Sequence, residues 1–317
     1  MADTKIEWTD KVWNPIRGCS RVSEGCRNCY AERIAARFSD DGQPFHGLAR
    51  RTPLGPRWTG DIMLVPDKLD DPMHWKKPSR IFVNSMSDFF HEGVSFEYIE
   101  EMCAVMELAS AMNGHIFQVL TKRPERMFAF FGTKFGKNFA EIQHKNIWWG
   151  VSVEDQKTAD KRIEALLDCP VAIRWLSVEP LLGPVDLVEL DGDTRTALYP
   201  GGVDWVVVGG ESGPGARPMQ PEWARLIRDQ CLDAKVPFFF KQHGDWVSAG
   251  KPVRDEDFSG GYAVDDPLGG RISVDWITSG KKNYRWSNSG EVLVRVGKSR
   301  AGHLLDGKLW QQYPDAA

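Results

Sequence analysis

The chain has few cysteines, six in 317 residues, and so sparse a set excludes the disulfide framework of a small secreted domain. It has no run of about 18 apolar residues that could cross a bilayer, and its opening Met-Ala-Asp-Thr-Lys lacks the apolar stretch of a signal peptide. A cytoplasmic protein with no membrane partner is therefore expected. It has no excess of either charge: 40 basic residues face 44 acidic ones, for a net charge of -4. Nonspecific binding to duplex nucleic acid is thereby disfavoured, and any such contact needs a local patch.

The cysteines that are present are not scattered. Cys19, Cys26 and Cys29 form a C-x6-C-x2-C array whose last member runs into a helix-like stretch, Tyr30-Ala31-Glu32-Arg33. Thiolates two residues apart can bite one metal centre, and a third ligand upstream can close the loop from its other side. A structural zinc wants four protein ligands, whereas a cubane cluster held by three thiolates leaves one iron open. The missing fourth cysteine thus favours a cluster, unless His46 or His91 completes a zinc site. Cys103, Cys169 and Cys231 stand singly in apolar or helical contexts and read as small core residues. Thirteen tryptophans suit a thick core or a stacking surface, with the core preferred.

Short β-rich runs recur at 81–84, 116–120, 147–151, 173–178, 205–208 and 236–240, about 26 to 35 residues apart. Helical patterns at 96–112, 155–167 and 221–234 lie between several of them. Strand, helix, strand at this spacing is the βα unit of a parallel sheet, and so many in a row predict an α/β fold with a partial or complete parallel (βα) barrel. The beat breaks at 184–202, which reads as a hairpin or excursion. Beyond Gly244, Gly, Asp, Ser and Trp dominate. The expected organisation is a barrel domain over 1–243, with a cysteine loop at 17–30, and an irregular C-terminal cap over 244–317 packed on it.

Each apolar run is followed at once by polar side chains: Ser85 to Asp88, Thr121-Lys122-Arg123, Ser152 to Asp155, Glu179-Pro180, Gly209 to Ser212 and Lys241-Gln242-His243. The carboxyl ends of parallel strands converge on one face, which is where such folds keep their active sites. Single residues of this kind are ordinary caps; six groups in succession point to a shared pocket. The glycine-rich Gly209 to Gly215 segment lacks the spacing of a phosphate or dinucleotide fingerprint and reads as a βα loop.

Cys26-Arg27-Asn28-Cys29-Tyr30-Ala31 resembles the cluster loop of radical S-adenosylmethionine (SAM) enzymes, especially the spore photoproduct lyase-like branch. Ser85-Met86-Ser87-Asp88 and Leu120-Thr121-Lys122-Arg123 look like strand ends of that branch. Along nearly its whole length the chain is similar to a phage-associated three-cysteine-motif family of uncharacterised proteins, through Ile6 to Asp10, Trp13-Asn14-Pro15, Ser177 to Leu181, Gly209 to Gly213, Phe240-Lys241-Gln242 and Gly302 to Gly307. The superfamily's usual first spacing is C-x3-C; the three extra residues here are expected to bulge outward from a polar loop ending in Gly25.

The resemblance implies a barrel of the radical SAM type and a division of labour. Cys19, Cys26 and Cys29 would ligate a [4Fe-4S] cluster, SAM would chelate its open iron, and one electron from a donor would release a 5'-deoxyadenosyl radical that takes hydrogen from the substrate. Tyr30 would pack beside the cluster, and Ser85, Ser87, Asp88 and Ser152 would bind the cofactor. Lys122, Glu179 and Glu211 are the catalytic candidates. A nucleic acid or nucleotide substrate is implied, with Arg17, Arg21, Arg27, Lys122, Arg123 and Arg126 placed to meet phosphates; a monomer is expected. Two alternatives remain: a zinc-bearing or redox-silent barrel that binds nucleotides or nucleic acid, and an accessory phage-type protein whose cysteines are a folding clip.

Overall fold

Seven parallel strands make the central sheet of the computed structural model, which describes residues 4–190, 196–255, 257, 262–278 and 282–315. They are β1 (Lys11–Trp13), β2 (Arg80–Val83), β3 (Ile116–Thr121), β4 (Ile147–Val153), β5 (Ile173–Val178), β6 (Trp205–Gly209) and β7 (Phe238–Gln242), and they lie side by side in chain order. β1 and β7 do not pair with each other, so the sheet is an open half-barrel. All six expected strands are in it. The seventh, β1, is three residues long, too short to show a period.

The sheet is apolar on both faces, as parallel sheets are, but the faces are filled differently. Outward residues such as Ile81, Val119, Trp149, Val151, Leu176, Val206 and Phe240 pack under the helices in the main core. The helices of eight residues or more are α1 (Tyr30–Arg37), which packs in a cluster of its own with Phe45, Leu48 and Trp58, and α2 (Phe96–Asn113), α3 (Pro124–Phe131), α4 (Lys134–Glu141), α5 (Gln156–Leu167) and α6 (Pro221–Asp233). Local chemistry sets several ends: the Ser95 hydroxyl accepts from Tyr98 N to start α2, Gly114 at φ 67° stops it, and Asp155 with Thr158 forms the capping box of α5. The periodicity signals neither α3 nor α4, because the run Met127-Phe128-Ala129-Phe130-Phe131 reads equally as a strand; Pro124 in the first turn fixes it as helix.

The inner face grades from large to small along the strands. Its lower part is an aromatic plug of Trp8, Phe82, Trp148, Trp175, Trp205 and Phe239. Trp8 meets Trp175 at 5.2 Å, and Trp175 meets Trp205 at 5.3 Å. Gly150 on β4 makes room for this plug, since a Cβ there would lie 2.5 Å from Trp175 Nε1, and that indole is fixed by donating to Val119 O at 3.0 Å. One pleat higher, Ser152 stands beside Ser177. Small side chains above a bulky plug leave space at the carboxyl ends of the strands.

The C-terminal region is more regular than its composition implies. It contains two three-stranded antiparallel sheets, one from Trp246–Ser248, Val292–Arg295 and Tyr284–Trp286, the other from Val253–Arg254, Tyr262–Asp265 and Arg271–Ser273. Strands this short, separated by Gly and Asp turns, carry no readable period. The tail then returns to the barrel: Phe240 N donates to Trp310 O at 2.9 Å, and Trp205 Nε1 to Gln312 O at 2.9 Å. It thereby covers the exposed edge of β7. Of the excursion at 184–202, residues 191–195 lie outside the described set; the rest forms no helix among the described residues, with Ala197 N bonded to Leu187 O at 2.8 Å. No helix among the described residues is long and apolar enough to cross a membrane.

Candidate functional site

A cavity of about 710 Å³ opens at the carboxyl ends of the strands. Cys19, Cys26, Cys29 and Tyr30 border it on one side, and Ser85, Ser87, Asp88, Lys122, Ser152, Glu179 and Glu211 border it from the strand ends. The structure thus brings all eleven candidate residues to one place. Their individual surroundings separate those free to meet a ligand from those engaged in building the site.

Asp88 is engaged. Its carboxylate accepts from Thr121 Oγ1 at 2.7 Å, Lys122 N at 3.0 Å, Phe90 N at 3.0 Å and Arg123 Nη1 at 3.0 Å, which leaves it little capacity for a cofactor. The buried Arg123 carries the link onward, donating to Ser20 Oγ at 2.7 Å beside Cys19. Ser85 Oγ donates to Asn14 Oδ1 at 3.2 Å and Ser87 Oγ to Ile16 O at 3.0 Å, so these hydroxyls moor the N-terminal segment and retain only lone pairs for a ligand. Tyr30 donates its phenol to Ser85 O at 2.7 Å, bridging the cysteine loop and β2.

The three catalytic candidates are all ion-paired. Lys122 Nζ lies 2.9 Å from Glu154 Oε1, Lys241 Nζ donates to both oxygens of Glu179 at 2.7 and 2.9 Å, and Arg217 Nη2 is 2.6 Å from Glu211 Oε1. Burial pushes the Glu154 carboxyl up, but Lys122 and Arg162 pull it further down, and its net pKa is below the ordinary value. Glu211 behaves alike: burial raises it, and hydrogen bonds from Arg217 and Asn28 bring it below the usual range.

These pairs hold the cysteine loop. Ser23 Oγ donates to Glu154 Oε1 at 3.0 Å, Asn28 Nδ2 to Glu211 Oε2 at 2.9 Å, and Arg217 Nη2 to Glu24 O at 3.0 Å. Arg21 is bound to the buried Glu32 of α1. Gly25 sits so tightly on Glu154 that any Cβ would collide with its carboxylate. The longer first interval therefore does not simply bulge outward, as the spacing led us to expect; Ser23 to Cys26 is pinned down onto the strand ends by charged groups that a polar loop recruits.

The three cysteines are half-buried as residues. Cys19 and Cys29 pack with Met86 against Ala31, Ala35 and Trp58. Burial pushes the Cys19 thiol up, Asp88 adds to this and Arg123 opposes it. Burial also raises Cys29, against the Glu32 and Ala31 amides at the start of α1. No three His, Cys, Asp or Glu side chains among the described residues are gathered closely enough to hold a single metal ion. Neither His46 nor His91 borders the cavity; His91 Nε2 is engaged with Ser20 Oγ at 3.0 Å, and His46 pairs with Asp41 on the surface.

The cations expected to meet phosphates are largely occupied. Arg21, Lys122 and Arg123 are paired as above, and Arg126 binds Val94 O and lies 4.7 Å over the Phe96 ring. Arg27, 65% exposed, and Arg17 are more open. Sequence reasoning passed over Glu154, Arg217 and Asn84. Glu154 and Asn84 had a signal, each standing one residue past a strand, β4 and β2; Arg217 had none, because its partners are distant in sequence.

Fold and site together define an α/β half-barrel protein with a cysteine-bordered cavity at the carboxyl ends of its strands. The chain belongs to the family described as "Protein of unknown function (DUF5131)", which matches residues 3–314. No curated protein and no solved structure matches it.

Proposed function

We propose that this protein is a radical SAM iron-sulfur enzyme, with a half-barrel of the radical SAM type and nucleic acid or nucleotide as its substrate class. The observation that carries the reading is the meeting of Cys19, Cys26 and Cys29 with polar groups from successive strand ends on one cavity. A [4Fe-4S] cluster with SAM on its open iron would supply reductive cleavage of the sulfonium to a hydrogen-abstracting 5'-deoxyadenosyl radical.

The donor set suits a cluster. Three thiols border the cavity without converging on one point, and a cluster asks each thiolate to meet a different iron. A mononuclear zinc would draw four ligands to about 2.0–2.3 Å of one ion, and the cavity offers no histidine as the fourth. The amides of Ala31 and Glu32 face Cys29 and would stabilise its thiolate once a metal displaces the proton.

The protein's own part is to position and to exclude water. Glu154, Glu211 and Arg123 fix the loop that bears the cysteines, Tyr30 ties it to β2, and the tryptophan plug seals the cavity from below. Lys122 and the Lys241–Glu179 pair face the cavity; Lys122 would hold a cofactor carboxylate only by giving up Glu154, and the pair would hold the ribose. Anaerobic reconstitution with iron and sulfide tests the reading. About four irons and a broad absorption near 400 nm are expected, both lost in Cys19→Ala, Cys26→Ala or Cys29→Ala; stoichiometric zinc would favour the zinc-bearing alternative.

A further inference from the structure

The buried polar groups left unsatisfied around the cavity, among the described residues, are uncharged. Asn84 directly follows β2, is 3% exposed and borders the cavity, yet among the described residues neither its Oδ1 nor its Nδ2 has a hydrogen-bond partner. Its backbone is held at φ 60°, a left-handed conformation that asparagine tolerates better than most residues. Gln242, at the end of β7 and 4% exposed, donates Nε2 to Gly210 O at 3.1 Å and leaves Oε1 without a partner. Ser152 and Ser177 face each other across β4 and β5 on the same wall, and neither hydroxyl is bonded among the described residues. Trp8 and Phe82 close this end of the cavity with aromatic rings.

Native proteins seldom leave a buried amide unpaired, so an Asn and a Gln orphaned beside one cavity are the mark of a partner that arrives from outside. That partner carries no charge where it meets them. The ionisable groups of the strand-end ring are already matched, Lys122 with Glu154, Arg123 with Asp88, Lys241 with Glu179 and Arg217 with Glu211. A phosphate or carboxylate entering among these strand ends would have to break one of these pairs or stay at the rim beside the exposed Lys5, whereas a neutral group with a donor beside an acceptor would satisfy what is open.

We infer that Asn84, Gln242, Ser152 and Ser177 form a recognition wall for an uncharged planar ring with a hydrogen-bond donor and acceptor on one edge, a nucleobase. The Asn84 amide, with both atoms open, can read an adenine edge in this bidentate way, Gln242 offers only its Oε1 as an acceptor, and aromatic faces accept any base. The inference rests on the cavity being the working site, as proposed above, and not on what the cysteines hold. It also relocates recognition, from arginines meeting phosphates to neutral side chains meeting the base.

Uridine and adenosine are the probes, titrated into the wild-type chain by calorimetry and by quenching of tryptophan emission. At least one nucleoside should bind. Asn84→Gly removes the amide from a backbone position that suits glycine and should weaken binding at least tenfold; Gln242→Leu should weaken it several-fold, with thermal unfolding recorded for both. Uridine 5'-monophosphate should bind no more tightly than uridine. Displacement of adenosine by SAM would assign the ring to the cofactor, and binding of uridine undisturbed by SAM would assign it to the substrate; either supports the wall. Failure of both nucleosides to bind, undiminished binding by Asn84→Gly, or a tenfold gain from the 5'-phosphate would overturn it. The titration needs no cluster. Nucleoside binding by the wild-type chain prepared without iron would uphold the wall even if no cluster forms, and an iron-loaded chain indifferent to both would overturn the wall alone.

Discussion

Asn28 and Glu211 are 183 positions apart and joined by a 2.9 Å hydrogen bond. Through it the loop after β6 holds the middle of the Cys26–Cys29 interval, while Arg217 neutralises the same carboxylate. Glu211 is therefore as much a buttress of the cysteine loop as a group that faces the cavity.

Replacing Glu211 by Ala should release Asn28 and leave the partly buried Arg217 with only the exposed Glu24 as counter-ion. A loss of about 1–3 kcal/mol is expected from the unpaired groups, read as a lower urea midpoint with unchanged slope, together with reduced iron loading. Glu211→Gln, which can still accept from Asn28, should recover part of the loading. Equal loading in all three chains would show that the contact does not position the cysteines.

Gly25→Ala tests the seat of the same loop. Its Cβ would meet a Glu154 side chain that cannot easily move aside, being held by Arg162 at 3.1 Å, by Lys122 and by Ser23. Overpacking of this kind costs about 1–3 kcal/mol. Thermal unfolding should show the loss, and Ala at the unobstructed Gly42 should serve as a control, though at φ 75° it carries its own modest strain.

The acid limb of stability should depend on Glu154. Its folded pKa lies below the ordinary value, so the unfolded chain binds more protons as the pH falls and the stabilisation is lost through the folded pKa. Glu154→Gln should cost about 3 kcal/mol at pH 7, where it strands Lys122 and the buried Arg162. As the pH falls through the lowered folded pKa the difference from wild type should shrink, because the wild-type carboxyl is then itself losing its charge. A penalty independent of pH would mean that packing, and not charge, is what Glu154 contributes.

Much of the scaffold was readable because burial on both faces turns a parallel strand into a continuous apolar run. Trp205-Val206-Val207-Val208 announces itself in that way; β1, three residues long, does not. The convergence of Lys122, Glu179 and Glu211 on one cavity follows from their place just after such runs. Their pairing does not, since whether Lys122 faces a phosphate or Glu154 depends on how adjacent strands are registered, and Arg217 belongs to a loop with no local pattern. Tryptophan placement was half legible: hydrophobicity predicts burial of Trp148 and Trp175, but only the vacancy above Gly150 puts the latter inside the half-barrel. Asn84 stands just past a strand as the others do, but its unpaired amide exists only once its neighbours are in place.

The central claim concerns what the cysteines are for, and SAM cleavage measures it most directly. The reconstituted chain, kept anaerobic and given SAM with a strong reductant, should form 5'-deoxyadenosine at a rate that exceeds the Cys29→Ala chain at least a hundredfold, even without the true substrate. A chain that assembles about four irons and yet neither binds SAM nor forms 5'-deoxyadenosine above that control would contradict the account.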